Sequence, residues 1–210
     1  MSEGLERFII GLTKKLLFAN TFATITDSIF SIETTYLSTG HVWIALLSFT
    51  LQIYFDFSAY SDMAIGLAKI LGFNIPENFD YPYLARSIRS FWRKWHILLS
   101  TWFRDYLYIP LGGSQSSKSR TIINLIIVFL ITGLWHGAVW NFIIWGLWHG
   151  LFIVLERQGL EKILNRLGLV SIVYTMAVVI IGWLLFRITN LNKFPILLTK
   201  LVSLDTSNIP

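Results

Sequence analysis

The chain reads as an all-α, multi-pass membrane protein, and three observations say so. Only 14% of its 210 residues are charged and 54% are hydrophobic, against about 25% charged in an ordinary soluble domain. The apolar residues form long runs, and a bilayer core of about 30 Å takes around 20 residues of helix to cross. Thr121 to Leu155 contains no Asp, Glu, Lys or Arg, and Gly168 to Phe186 is equally free of them. Lastly, the basic residues flank these runs: Lys14 and Lys15, Lys69, Lys118 and Arg120, Arg157, Lys162 and Arg166, then Arg187. That is where lipid headgroups sit. A large soluble protein with buried helices is the alternative.

Several function classes drop out. The formal charge of +5 would raise nucleic acid as a partner of a soluble protein, but the placement of the bases assigns them to the bilayer. The first residues, MSEGLERF, carry two Glu and lack the basic start of a cleaved signal peptide. With no cysteine, disulfides, thiolate metal sites and protein thioesters are excluded. Any acyl chemistry must pass directly between bound substrates or through an oxygen or nitrogen group.

Phe8 to Phe30 is apolar but interrupted by Lys14, Lys15, Asn20 and Asp27, so it either crosses the membrane or lies amphipathically at its surface. His41 to Tyr60 can span if Asp56 lies near one end or faces protein. A polar cluster from Asp56 to Asp62 follows at that end, then an apolar segment to Leu71 broken by Gly66. Residues 72–90, with two prolines and alternating charge, read as a loop outside the hydrocarbon.

Residues 91–109 read as one amphipathic interfacial helix. Trp92, Trp95, Leu99, Trp102 and Tyr106 recur at spacings of three and four, and Arg93, His96 and Ser100 fall on another side. Pro110 and the Gly112–Gly113 pair end it, and the polar loop SQSSKSR follows.

Residues 121–155 hold two Trp-His-Gly triplets, TGLWHGAVWNFIIWGLWHG from Thr132 to Gly150. An unbroken helix over this tract would be about 50 Å long, well beyond the hydrocarbon thickness. It must tilt, leave the core or break, and Gly133, Gly137 and Asn141 are the obvious place. A hairpin and a bent helix both fit. Val170 to Phe186 is a conventional span, and Leu191 to Pro210 turns polar without a clear terminator.

His136 is the most centrally placed histidine of this tract, and burial favours its neutral form, the one a general base needs. The competing role is a hydrogen bond to a helix carbonyl. His149 fits packing or an interfacial hydrogen bond better. His96, alone, is an interfacial histidine, strengthened by the arginine, serine and tryptophan on the same helix. Asp56 and Asp62 are six apart and share a helical face poorly, so they suit the polar fixing of neighbouring segments better than paired acid and base work. Four scattered histidines make no compact metal motif, and no metal is expected. A neutral histidine in a polar cavity can take a proton from a substrate hydroxyl as its oxygen attacks an acyl carbonyl, then return it to the leaving group.

Taken together, DFSAYSDMAIGLAKILGF (56–73), FWRKWHILLSTWFRDYLYIPLGG (91–113) and TGLWHGAVWNFIIWGLWHG (132–150) closely resemble the membrane-bound O-acyltransferase family, in its alginate O-acetyltransferase-like branch. RFIIGLTKK (7–15) resembles the segment that precedes these blocks there. The resemblance implies a multi-helix membrane core around a funnel or tunnel, and transfer of an acyl group to a hydroxyl of an exported polysaccharide, alginate or similar. His136 would be the catalytic base and His96 the second active-site histidine. Arg93, Trp135, Asn141 and Asp56 are candidate substrate or cavity contacts, and His149 is a secondary candidate.

The resemblance further implies no tightly bound cofactor and an activated acyl donor such as acetyl-CoA. The expected partners are an extracytoplasmic acetyltransferase-like protein and export machinery, in a bacterial inner membrane. Members of this type run to roughly twice this length, so the chain is expected to be the carboxy-terminal part of a longer protein. A noncatalytic membrane scaffold and a transport subunit with a histidine-lined path are the other two classes.

Overall fold

The structure, a computed structural model, describes residues 1–203. Among them it is helical throughout, with no strand. Four helices are long and apolar enough to cross a membrane: Ser2–Phe30 (α1), Thr39–Ile70 (α2), Lys118–His136 (α5) and Val170–Arg187 (α8). Between them lie Ile88–Lys94 (α3), Ile97–Phe103 (α4), Trp140–Leu155 (α6) and Glu161–Leu167 (α7), and Lys193–Val202 (α9) comes last. The expected polar stretch over 191–210 therefore contains a helix, and its residues 204–210 lie outside the described residues.

The chain forms two compact units, one of residues 1–77 with 192–203 and one of residues 78–191. In the first, α1 and α2 pack antiparallel at very close range. A Cβ on Gly4 would stand 2.7 Å from the Gly66 carbonyl oxygen, and one on Gly11 would stand 2.7 Å from that of Ala59. Small residues let two backbones approach like this. Gly66 thus does not break a helix, as its sequence context suggested. It is a contact point inside a 32-residue helix. The polar cluster around Asp56 lies inside that helix too and faces α1: Lys14 pairs with Asp62 at 2.6 Å, Arg7 reaches the same carboxylate, and Lys15 pairs with Asp56. Basic residues that interrupt one apolar helix are neutralised by acids that interrupt its neighbour. The last helix, α9, is tied to the start of α2 by the Trp43 indole N–H, which donates to the Leu201 carbonyl at 3.1 Å.

In the second unit the overlong apolar tract is a hairpin. α5 stops at His136, residues 137–139 turn, and α6 returns from Trp140. A Cβ on Gly133 would lie 2.4 Å from the Phe142 carbonyl oxygen and one on Gly146 2.2 Å from that of Phe129. Of the two glycines proposed as the break, Gly137 is in the turn and Gly133 is a helix contact. A residue central to the tract in sequence is therefore at the tip of the hairpin. α8 packs antiparallel on α6: the Trp148 indole N–H donates to the Val178 carbonyl at 2.9 Å, and the Asn141 amide to that of Ile188 at 3.1 Å.

The single helix expected over 91–109 is broken. α3 ends at Lys94 and α4 starts at Ile97, with His96 between them in a left-handed conformation, φ 45° and ψ 55°. The aromatic stripe separates accordingly, with Trp95 in the core at 4% exposure and Trp102 and Tyr106 pointing outward at 52% and 69%. The α3 N-terminus is held by the buried Glu156 carboxylate, which accepts hydrogen bonds from the Ile88 and Arg89 backbone N–H groups at 2.6 and 3.0 Å. Burial pushes the Glu156 carboxyl above its ordinary range, and these donors and the Tyr174 hydroxyl pull it back.

The hairpin contact makes a direct prediction. Gly146→Val drives its side chain into the Phe129 backbone and should destabilise the detergent-solubilised protein by about 1–3 kcal/mol or more, read as a lowered Tm. Gly40→Ala, where a Cβ meets only the Ser38 hydroxyl at 3.8 Å, should leave the Tm in place. Equal Tm values for the two variants would refute the close packing.

Candidate active site

His136 and His96 come together although 40 residues of chain separate them. The hairpin puts His136 at the C-terminal end of α5, and the break between α3 and α4 turns His96 toward it. The Trp135 ring meets both edge-on, with centroids 4.9 Å from His136 and 6.4 Å from His96. His136 is half-buried in an aromatic collar of Trp145 at 5.0 Å, Phe186 at 5.2 Å and Phe142 at 6.1 Å. Trp135 is 57% exposed, so the pair sits beside an open face of the unit.

His96 is held by a residue that its sequence context did not single out. Asn78, 6% exposed, spans the helix break. Its backbone carbonyl accepts from the Ile97 N–H at 3.0 Å, and its side-chain oxygen accepts from the Leu98 N–H at 3.1 Å. The same oxygen lies 3.1 Å from His96 Nδ1. Because an oxygen already facing one N–H is an acceptor, Nδ1 must carry the proton and donate, which puts the imidazole lone pair on Nε2. Lys94 completes the wrap with an ion pair to Asp80 at 2.8 Å. A non-glycine residue in the left-handed region costs of order 1–3 kcal/mol and persists only where its surroundings over-determine it. The three Asn78 contacts do so here. Asn78 lies in the segment expected to be plain loop, and no spacing rule connects it to a histidine eighteen residues on.

Burial pushes the His96 imidazole down to about 4, and the nearby His136 adds to the effect by disfavouring a second positive charge. His96 is therefore neutral at physiological pH.

The other sequence candidates are distributed differently. Trp135 belongs to the pair. Asn141 is buried and its amide is spent on the Ile188 carbonyl, which makes it a latch between α6 and α8 and not a cavity contact. Arg93 is exposed and lines a cavity of about 400 Å³ that Arg89, Arg104 and Arg157 also border and that Ile97, the residue after His96, helps to wall. Asp56 lies in the first unit, paired with Lys15. No three His, Asp or Glu side chains converge as a metal site among the described residues.

His149 is fully buried, and neither ring nitrogen has a hydrogen-bond partner. The interfacial hydrogen bond considered for it is absent. It stacks on Phe91 at 6.3 Å, meets Trp92 and Trp145 edge-on at 5.2 and 5.4 Å, and fits against Gly182, where a Cβ would stand 2.6 Å from its Nε2. It packs as an aromatic ring.

Two measurements check these assignments. In ring-labelled histidine NMR, the imidazole signal that disappears in His96→Asn should titrate near pH 4, with its neutral form dominant above that; a midpoint near 6.5 would contradict the buried, Asn78-held ring. His149→Leu keeps an apolar side chain in the cage and removes two unsatisfied nitrogens, each costing about 1–3 kcal/mol when buried unpaired. Its Tm should equal or exceed that of the unaltered protein, and a marked fall would reveal a polar partner for the ring.

Known proteins carry the same blocks. A profile of the membrane-bound O-acyltransferase family matches residues 3–193. A probable alginate O-acetylase AlgI of Pseudomonas putida is 47% identical over 192 residues, which are 91% of this chain and 39% of that protein. The corresponding protein of Pseudomonas aeruginosa is 48% identical over 91% of this chain and 36% of its own length. A peptidoglycan O-acetyltransferase of Helicobacter pylori is 41% identical over 96% of this chain and 39% of its own length. The chain thus spans under two-fifths of the length of these curated relatives. The apolar helices, the two brought-together histidines and the family profile agree, and the chain belongs to the membrane-bound O-acyltransferase family.

Proposed function

We propose that this chain carries the acyl-transfer site of a membrane enzyme that acetylates hydroxyl groups of an exported or cell-envelope polysaccharide, with His136 as general base. The observation that carries the reading is the pairing of His136 with a neutral, Asn78-held His96 across Trp135. The relatives named for acetylation of alginate and of peptidoglycan support the acetyl group and the glycan acceptor.

The His136 ring makes no hydrogen bond among the described residues, so it is available to a substrate. In the proposed step its neutral imidazole removes the proton of the acceptor hydroxyl while that oxygen bonds to the acyl carbonyl carbon. The bond from that carbon to the donor's leaving group then breaks, and the proton returns to the leaving group. While His136 is an imidazolium, a neutral His96 beside it avoids like-charge repulsion and offers the lone pair on Nε2. The donor is an activated acyl compound such as acetyl-CoA, and the protein needs no tightly bound cofactor. The setting is the bacterial inner membrane, and an extracytoplasmic acetyltransferase-like protein and export machinery would pass the group onward.

Membranes bearing His136→Ala should lose acetyl transfer by about 10²–10⁴-fold, the usual worth of a general base, with protein levels unchanged. His96→Asn tolerates the left-handed backbone and should also lose turnover while keeping its Tm. Full acetylation by the His136 variant would remove the base assignment and leave a noncatalytic scaffold as the better reading.

A further inference from the structure

The break that carries His96 is clamped by residues 78–80. The Asn78 carbonyl accepts from the Ile97 N–H at 3.0 Å, the Asp80 N–H donates to the Lys94 carbonyl at 3.0 Å, and Phe79 meets Trp95 edge-on at 5.0 Å. Trp95 rests in turn on Trp183, 5.0 Å away. The clamp therefore holds Asn78 Oδ1 in one place, 3.1 Å from both the Leu98 nitrogen and His96 Nδ1. The main-chain contacts and the Leu98 bond close the break. The contact with the ring acts on the imidazole, not on the backbone.

An acceptor at Nδ1 fixes the tautomer of a histidine, and a carboxylate in that place also raises the basicity of the ring. Here the acceptor is a neutral amide, which fixes the tautomer and adds no negative charge. The two carboxylates nearest Asn78 in sequence, Glu77 and Asp80, are each taken up by a cation, Arg7 at 2.6 Å and Lys94 at 2.8 Å. From the neighbouring helix α5, His136 opposes a positive charge on His96.

We infer that Asn78 is a positioning residue for acyl transfer, whose side-chain oxygen locks His96 as an Nδ1–H imidazole, so that the ring serves the reaction as a hydrogen-bond acceptor at Nε2 and leaves proton transfer to His136. The role in turnover rests on the acyl-transfer reading; the tautomer rests on the hydrogen bonds alone. In this division His96 keeps its proton on Nδ1 throughout and accepts at Nε2 from a hydroxyl or N–H of a bound substrate. The proton of the attacking hydroxyl moves to His136 and on to the leaving group. A carboxylate at position 78 would make Nε2 a stronger base. A proton caught there would set a positive charge beside His136, where the reaction has to create one.

The test combines ring-nitrogen-labelled histidine NMR of the full chain in detergent with acetyl transfer by membranes. The His96 signals, identified by their loss in His96→Asn, should be those of a ring protonated at Nδ1 and bare at Nε2. Asn78→Ala should release the ring to the Nε2–H form that free histidine side chains prefer. Transfer should then fall about 10–100-fold, as when a group that orients a functional histidine is removed. Asn78→Asp keeps both acceptor contacts and is the conservative rescue. It should retain the Nδ1–H form but raise the His96 pKa, so that transfer is lost as pH falls through the raised value and returns above it, whereas the unaltered ring stays neutral down to about pH 4. Nδ1–H signals or full transfer in Asn78→Ala would overturn the inference. So would an Asn78→Asp variant inactive at every pH, which reduces Asn78 to a backbone brace. The NMR signature needs no turnover and His136→Ala tests the base, so a failure here is separable from a failure of the acyl-transfer reading.

Discussion

The backbone contact between α5 and α6 is the constraint on which the second unit depends. Gly133 and Gly146 bring two apolar helices together at a distance that leaves no room for even a methyl group. Lipid offers such helices no hydrophobic reason to associate, so close van der Waals packing is what holds them. Once they touch along their length, the tract between Lys118 and Leu155 has to reverse, and the only residues left to reverse it are 137–139. His136 is at the tip as a consequence of that geometry. On the other side of α6, Gly182 repeats the device by making space for the His149 ring, so α8 also closes in.

What fills the space between these helices is aromatic. Phe91, Trp92, Trp95, Trp145, Trp183 and Phe186 contact one another in edge-on, tilted and stacked pairs between 5.0 and 6.4 Å. Such pairs contribute about 0.5–1.5 kcal/mol each beyond simple burial, and rings have few torsions to lose. The indole N–H groups of Trp92, Trp145 and Trp183 are buried without partners beside the equally unpartnered His149. What these side chains contribute to the core is ring shape and contact, not hydrogen bonds. His136 meets this cluster of rings through Trp145 and Phe186, and Trp92 carries it to the wall of the cavity that Arg93 lines.

Much of this was legible in the sequence where the signal is local. The apolar runs and the need for a break in the 121–155 tract follow from run length and helix rise, and the motif blocks single out the two histidines that the fold brings together. What stayed hidden depends on contacts between distant segments. Periodicity over 91–109 suggests one helix because the side-chain spacing is sound on both sides of the break; the interruption comes from Asn78, which supplies tertiary hydrogen bonds that no local pattern encodes. The continuity of α2 through Asp56 and Asp62 was obscured for the opposite reason. Acids in an apolar run look like an end until the cations of α1 are seen beside them. Arg89, Arg104 and Arg157 are unremarkable singly, and only the folded chain gathers them around Arg93.

The ion pairs between α1 and α2 bear on how the protein reaches its place. A basic residue near the middle of an inserting helix costs about 2.5–3.5 kcal/mol, and α1 carries Lys14 and Lys15 near its midpoint, with Arg7 a few turns before. Alone in lipid it would be a poor candidate for insertion. With Asp62 and Glu77 against Arg7, Asp62 also against Lys14, and Asp56 against Lys15, three cations meet three carboxylates and the glycine contacts form together. Entering the bilayer already paired with α2 therefore costs α1 far less than entering it alone.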